Sequence, residues 1–257
     1  MRANLQFNLA ALMSFLLVLS RVSGVFALVP IPGFRNAPAL PRVVLTVALT
    51  FALMPVWPAT PEVAFTAGSM IRLAGGELLF GLGIGVAVSV LTEFVLLAMQ
   101  VLGLQAGYSY ASTIDPNTQA DAGILQVIGQ LAANLLFFAA GFDRQVIAAL
   151  AASFAAQPAG AIGAHPEWGQ NLIRLTSDIF TLGLRLAMPV VALLLLVDFA
   201  LALMGRVNAQ LQLLSLAFPV KMLGALVFLA ATAATLPVLY QAAARNVAEL
   251  LQGWVRN

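Results

Sequence analysis

The sequence predicts an all-α protein of the membrane type, assembled from kinked helical hairpins, and three observations predict it. Of its 257 residues 61% are hydrophobic and 9% charged, whereas soluble domains carry roughly 25% charged residues. Apolar runs recur along the chain, and two of them, 71–104 and 172–204, exceed the ~20 residues that one upright span needs. Clusters of proline and glycine, which end helices, separate the runs.

The same inventory excludes several functions. There is no cysteine, so disulfides, zinc–thiolate sites and cysteine nucleophiles are ruled out. One histidine, His165, and one lysine, Lys221, leave little for a metal site or a nucleophile–base pair. The net charge of +2 is scattered and contains no basic run, so nucleic acid is not an expected partner. No cofactor and no metal are expected, and the chain reads as one domain over 1–257.

Taken in order, Arg2 and the apolar run 9–19 look only partly like a signal peptide, with Val25-Phe26-Ala27 as a small-residue cleavage site, and the run is compatible with a retained first helix, the preferred reading. Residues 22–42 read as a connector, dense in Pro30, Pro32, Gly33, Pro38 and Pro41, with Arg21 at its edge and Arg35 and Arg42 inside it. A second helix over 43–57, stopped by Pro55 and Pro58, is short for a span. The long run 71–104 is glycine-rich at its start. Gly81 and Gly85 form a GxxxG pair with Gly83 between them, a spacing that lets helix backbones approach. Glu77 and Glu93 lie inside this run and should face protein or water. They are 16 residues apart, point to different sides, and are not an acid pair.

The stretch 103–121, GLQAGYSYASTIDPNTQAD, is polar between two oily helices. Asp115-Pro116-Asn117 is a turn signal. Broken polar backbone cannot face lipid, so the stretch must be wet or buried against protein; a surface loop at the membrane edge and a lining of a polar pathway both satisfy that. After it, Gln126, Gln130 and Asn134 recur every four residues on one face of the helix 124–142, which Asp143-Arg144 is expected to end. A short helix over 145–154 and a glycine–proline loop over 157–170 follow.

In the run 172–204, Arg174, Asp178 and Arg185 share a helix face and read as a compensated strip against protein. Pro189 should kink this helix, and Asp198 has Arg206 two turns on as a candidate partner. A polar hinge covers 205–212. The helix 213–236 carries Phe218-Pro219-Val220-Lys221, which places the only lysine in an apolar run. Beyond Pro237 lies a mildly amphipathic tail. Counted as six spans, the arginines divide five against four between the two sides, a weak bias for a multi-pass protein. Together with the odd run lengths, this points to helices held in an assembly.

These residues resemble the FliR family of the bacterial type III export gate, whose injectisome counterpart is called SctT. The resemblance runs through Arg21–Arg42 with Pro55, GLGIG at 81–85, the central GLQAGYSYASTIDPNTQAD, Gly-Phe-Asp-Arg, 184–189, 198–206 and FPVK at 218–221. One departure is Ala209, where the family often has a proline before the glutamine. The resemblance implies a single-copy core subunit of a helical, cone-shaped export gate in the bacterial inner membrane at the flagellar basal body. It would be built with FliP-like and FliQ-like subunits, wrapped by an FlhB-like switch protein, and would pass unfolded exported proteins. It also implies a plug formed at the Asp-Pro motif, here Tyr108, Ser109, Tyr110, Asp115, Pro116 and Asn117. Gly81, Gly83 and Gly85 would serve close helix packing. Glu77, Glu93, Arg174, Asp178, Arg185, Asp198, Arg206 and Lys221 read, on the cost of burying charge, as buried or interface charges. The chain would not be an enzyme. The competing class is a stand-alone secondary transporter or channel coupling ions through Glu77, Glu93, Asp198 or Lys221 at broken helices.

Overall fold

The computed structural model describes residues 9–29, 39–57, 66–108, 123–158, 166–207 and 213–256. Among them there are eight α-helices and no strand: α1 (Leu9–Leu28), α2 (Ala39–Ala52), α3 (Ala67–Ala106), α4 (Ile124–Ala139), α5 (Phe142–Ala156), α6 (Pro166–Val207), α7 (Leu213–Thr232) and α8 (Leu236–Arg256). Short 3-10 turns at Met54–Val56 and Ala233–Thr235 follow α2 and α7. The fold is all-α. Four helices are long and apolar enough to cross a membrane, or five if α4 and α5 count as one broken span. The sequence count of six fails because α2 is too short and the 124–156 region is interrupted.

The helix ends differ from the sequence reading for local reasons. α1 runs on to Leu28, so Arg21 sits inside a helix rather than at the edge of a connector. α2 begins at Ala39 and takes Pro41 into its first turn, where no amide hydrogen is needed. α3 starts behind Thr66, whose hydroxyl accepts from the Ser69 amide while the Ser69 hydroxyl accepts from the Thr66 amide, a reciprocal cap. At its other end the Tyr108 amide donates to Gly103 O and the Gly107 amide to Leu104 O. Gly107 lies at φ +83°, so this is a Schellman ending with glycine at the left-handed position.

The break after α4 falls at Gly141, at φ +63°, two residues before Asp143. Asp143 thereby enters the first turn of α5, where a carboxylate suits the positive end of the helix dipole. α6 begins at Pro166, a favoured first position, so the expected loop over 157–170 is shorter. Helix runs unbroken through Pro189 and Pro219. The hinge residues 208–212, Ala209 among them, lie outside the described residues.

The chain groups into two compact units, neither of them a continuous stretch. The first comprises Met1–Val90, Gly141–Thr176 and Arg245–Asn257, the second Leu91–Ala140 and Ser177–Ala244. In the first, α1 meets the start of α3 through Gly24, Gly81 and Gly85. A Cβ on Gly24 would stand 2.5 Å from Leu78 O, one on Gly85 would stand 2.9 Å from Val25 O, and one on Gly81 would collide with Arg21 O. Phe80, Trp168 and Trp254 cluster beside them, with ring centroids 4.9–6.2 Å apart. In the second unit, α3 meets α4 where Gly129 faces Met99, and meets α6 where Gly183 faces Phe94 O.

The C-terminal helix α8 is more strongly amphipathic than expected. Leu236, Tyr240, Ala243, Ala244, Val247, Leu251 and Trp254 are all buried, a three-to-four spacing that defines one face.

Candidate functional site

Two charged clusters, one in each unit, dominate the polar chemistry of the described residues. In the first unit Arg21 and Glu77 are both fully buried, and Arg21 Nε donates to Glu77 Oε2 at 2.6 Å. Arg21 Nη1 donates to Ser153 Oγ at 3.0 Å and Nη2 to Gln157 O at 2.9 Å. The Ser153 hydroxyl passes its own hydrogen to Leu150 O at 2.7 Å. The guanidinium carbon lies 4.9 Å from the Phe80 ring centre and 4.3 Å from that of Phe154.

Gln157 is the residue at the C-terminal cap of α5, where carbonyls lack intrahelical partners. Arg21 therefore caps α5, placing a cation at the negative end of its dipole, while Glu77 of α3 balances the charge. One side chain fastens three helices.

In the second unit Lys221 Nζ lies 2.9 Å from Asp198 Oδ1 and 3.0 Å from Oδ2. Gln105 Nε2 donates to Asp198 Oδ2 at 3.3 Å. Close by in sequence, the Tyr108 hydroxyl donates to Met222 O at 3.1 Å, and the Phe218 ring lies 2.8 Å from where a Cβ on Gly107 would be. Partial burial pushes the Tyr108 phenol above its ordinary value.

The partner of Asp198 is thus Lys221 and not Arg206, which is exposed in the last turn of α6. Arg174, Asp178 and Arg185 are exposed and form no ion pair among the described residues. Glu93 is half-buried. Gly83 faces the Trp254 ring at 3.4 Å, on a different side from Gly81 and Gly85. Of the central stretch, Tyr108 is described; Ser109, Tyr110, Asp115, Pro116 and Asn117 lie outside the described residues. In the amide stripe, Gln130 Nε2 donates along its own helix to Asn134 Oδ1 at 2.9 Å.

Sequence reasoning missed the roles of Arg21, Ser153 and Gln157. The signal for Arg21 was available: a single arginine in a run of leucines and valines, one turn before Gly24, is costly unless paired. Nothing local marks Ser153 or the backbone of Gln157.

Elsewhere an open cleft of about 310 Å³ lies between α5 and α8, floored by Ala148, Ala149, Ala152 and Ala248 and edged by Gln145 and Gln252. It has no titratable lining residue. Among the described residues no three His, Cys, Asp or Glu side chains are grouped to hold a metal ion.

The profile of the family described as bacterial export proteins, family 1, matches residues 12–247. The chain is 31% identical to the flagellar biosynthetic protein FliR of Escherichia coli (strain K12) over 204 residues, covering 78% of this chain and 77% of that protein. It is 28% identical to the protein of the same name from Bacillus subtilis (strain 168), over 81% of each. With the FliR of Aquifex aeolicus (strain VF5) the identity is 24%, over 82% of this chain and 81% of the relative. With the family profile spanning most of its length, this chain belongs to the FliR family of bacterial export proteins.

Proposed function

We propose that this chain is a non-enzymatic core subunit of the flagellar type III protein export gate in the bacterial inner membrane. FliP-like and FliQ-like subunits would complete the pore, an FlhB-like protein would attach at its entrance, and unfolded exported proteins would pass through. The observation that carries this reading is the match to FliR-type export proteins over most of the chain. The uncovered helices support it. Leu184, Leu195, Leu196, Phe199 and Leu203 of α6 and Leu223 and Val227 of α7 are exposed, a surface that needs lipid or other subunits over it.

In this reading Tyr108, Ser109, Tyr110, Asp115, Pro116 and Asn117 form a plug in the closed pore. Gly81, Gly83 and Gly85 allow close helix packing. Glu93, Arg174, Asp178, Arg185 and Arg206 meet partner subunits.

The stand-alone transporter needs coupling groups that can load and release an ion. Glu77 is locked to Arg21, and Asp198 is held by Lys221 and Gln105, which argues against it.

The test is co-expression with FliP-like and FliQ-like partners, followed by the mass of the detergent-purified particle. A discrete particle with one copy of this chain among several partner copies is expected. Deleting residues 108–117 should leave that particle intact and make membranes leak ions. A chain that ignores those partners and moves a small solute in liposomes would overturn the gate reading.

A further inference from the structure

Asp198 and Lys221 lie on outer faces that the chain itself leaves bare. Leu195, Phe199 and Leu203 of α6 and Val220 and Leu223 of α7 are exposed around them. Whatever covers these faces also covers the ion pair, in which the Asp198 side chain is 41% exposed and the Lys221 side chain 14%.

Lipid tails offer a carboxylate nothing, and an ionisable group within a span faces protein or a water-filled path. The neighbouring residues choose between those two. A helix face along water carries polar groups over its length. Asp198 is instead the one polar side chain of α6 from Pro189 to Gly205, and Lys221 the one polar side chain of α7 from Leu216 to Ala231. An isolated polar spot in an apolar surface fits an apolar helix that carries one polar group at the matching height.

The open chemistry at that spot is acceptance. Lys221 Nζ reaches Oδ1 at 2.9 Å and Oδ2 at 3.0 Å, and Gln105 Nε2 donates to Oδ2 at 3.3 Å. A carboxylate has about four lone-pair sites, so these three contacts leave room on Oδ1. Lys221 already balances the charge. A second cation would stand in an apolar contact without a counter-ion, so the donor that fits is uncharged.

We propose that Asp198 accepts a hydrogen bond from a carboxamide or hydroxyl on an apolar helix of a partner subunit. That bond sets the height at which the partner helix packs on α6 and α7, as a single polar group does in an apolar seam. The proposal rests on the gate reading in requiring partner subunits.

The test uses the full-length chain co-expressed with FliP-like and FliQ-like partners and purified in detergent. Asp198→Leu with Lys221→Met removes acceptor and counter-ion together and strands no charge. It should keep the level of the chain itself and lower the co-purifying partners roughly tenfold, the effect of losing a hydrogen bond to a charged group. Asp198→Asn with Lys221→Gln keeps a carbonyl acceptor and should retain partners to within about twofold of the parent. The sequence has no cysteine, so Ala202→Cys, exposed and one turn from Asp198, supplies a unique thiol. Maleimide should label it readily in the chain alone, and at least about tenfold more slowly in the particle, where a packed interface excludes the reagent.

Equal partner recovery from the Leu/Met variant and the parent would overturn the proposal, and so would equal loss in the two double variants. Undiminished labelling of Ala202→Cys in the particle would overturn it independently and assign the face to lipid or a water-filled path. A parent chain that forms no particle with these partners would overturn the gate reading, and the proposal with it.

Discussion

A guanidinium taken out of water needs hydrogen-bond partners, and each of the three nitrogens of Arg21 has one, in Glu77, Ser153 and the carbonyl of Gln157. The arrangement also balances the charge, since Glu77 is the counter-ion. Glu77→Leu leaves a buried cation without its counter-ion, and Arg21→Met leaves a buried carboxylate. Either should cost about 3–5 kcal/mol. The double variant Arg21→Met with Glu77→Leu removes both charges and loses the cap on Gln157 O, a cost of about 1–3 kcal/mol. It should therefore melt above either single variant in detergent. A double variant that melts as low as the sum of the singles would show no coupling between the two charges and would refute the account of them as a compensated pair. Tyr240 makes the opposite case. It is fully buried, and its hydroxyl has no hydrogen-bond partner among the described residues. Tyr240→Phe should leave the melting temperature of the isolated chain unchanged or raise it, since a buried unmatched hydroxyl is a cost. A clear drop would mean that a partner for the hydroxyl comes from outside the described residues.

At the scale of the helix, the glycines of α3 separate into those that touch another backbone and those that do not. A Cβ on Gly81 would run into the carbonyl oxygen of Arg21 in α1, and backbone cannot rotate aside. Gly81→Ala should force α1 and α3 apart and cost about 1–3 kcal/mol, the usual range for overpacking. Gly75 and Gly76 have nothing within 4 Å of such a Cβ. Gly76→Ala should stabilise the isolated chain by about 0.5–1 kcal/mol through helix propensity alone. Thermal melts of the two variants check both signs, and the same sign for both would refute the distinction. The sequence made the all-α class and the long runs legible, because apolar length and proline punctuation act locally. It also singled out Gly81 and Gly85, while Gly24, on the facing helix, carries no mark beyond being a glycine in an apolar run. The Asp198 partner was misassigned for a related reason. Arg206 is near in sequence, Lys221 is near in space, and helical spacing speaks only for residues on one helix. Break points were read two to six residues off where proline proved tolerable in a first turn, at Pro41 and Pro166, or where glycine took a left-handed turn, at Gly141.

For the whole molecule the open question is what covers the outside of α6 and α7. Only 22% of the span at Trp168–Arg206 is buried within the chain, against 61% at Gly68–Ala106. Lipid and protein neighbours both satisfy apolar side chains, but they respond differently to truncation. A lipid tail flows into the space left by a shortened side chain, whereas a packed partner helix leaves a void there. Leu184, Leu195 and Phe199 recur at helical spacing along one exposed face of α6. If that face is a subunit contact, Leu195→Ala with Phe199→Ala should leave the chain's own level and melting temperature close to the parent. The same variant should cut the partner proteins that co-purify with it by at least about fivefold, the effect of losing ~1 kcal/mol at an interface anchor. Equal recovery of partners from parent and variant would assign this face to lipid and move the subunit contacts to α7. The exposed strip of Arg174, Asp178 and Arg185 gives an independent check on the same helix. Charges facing tails would be costly, whereas charges facing a polar partner surface would not. Arg185→Leu should therefore weaken co-purification if partners cover the strip, and improve membrane retention of the chain expressed alone.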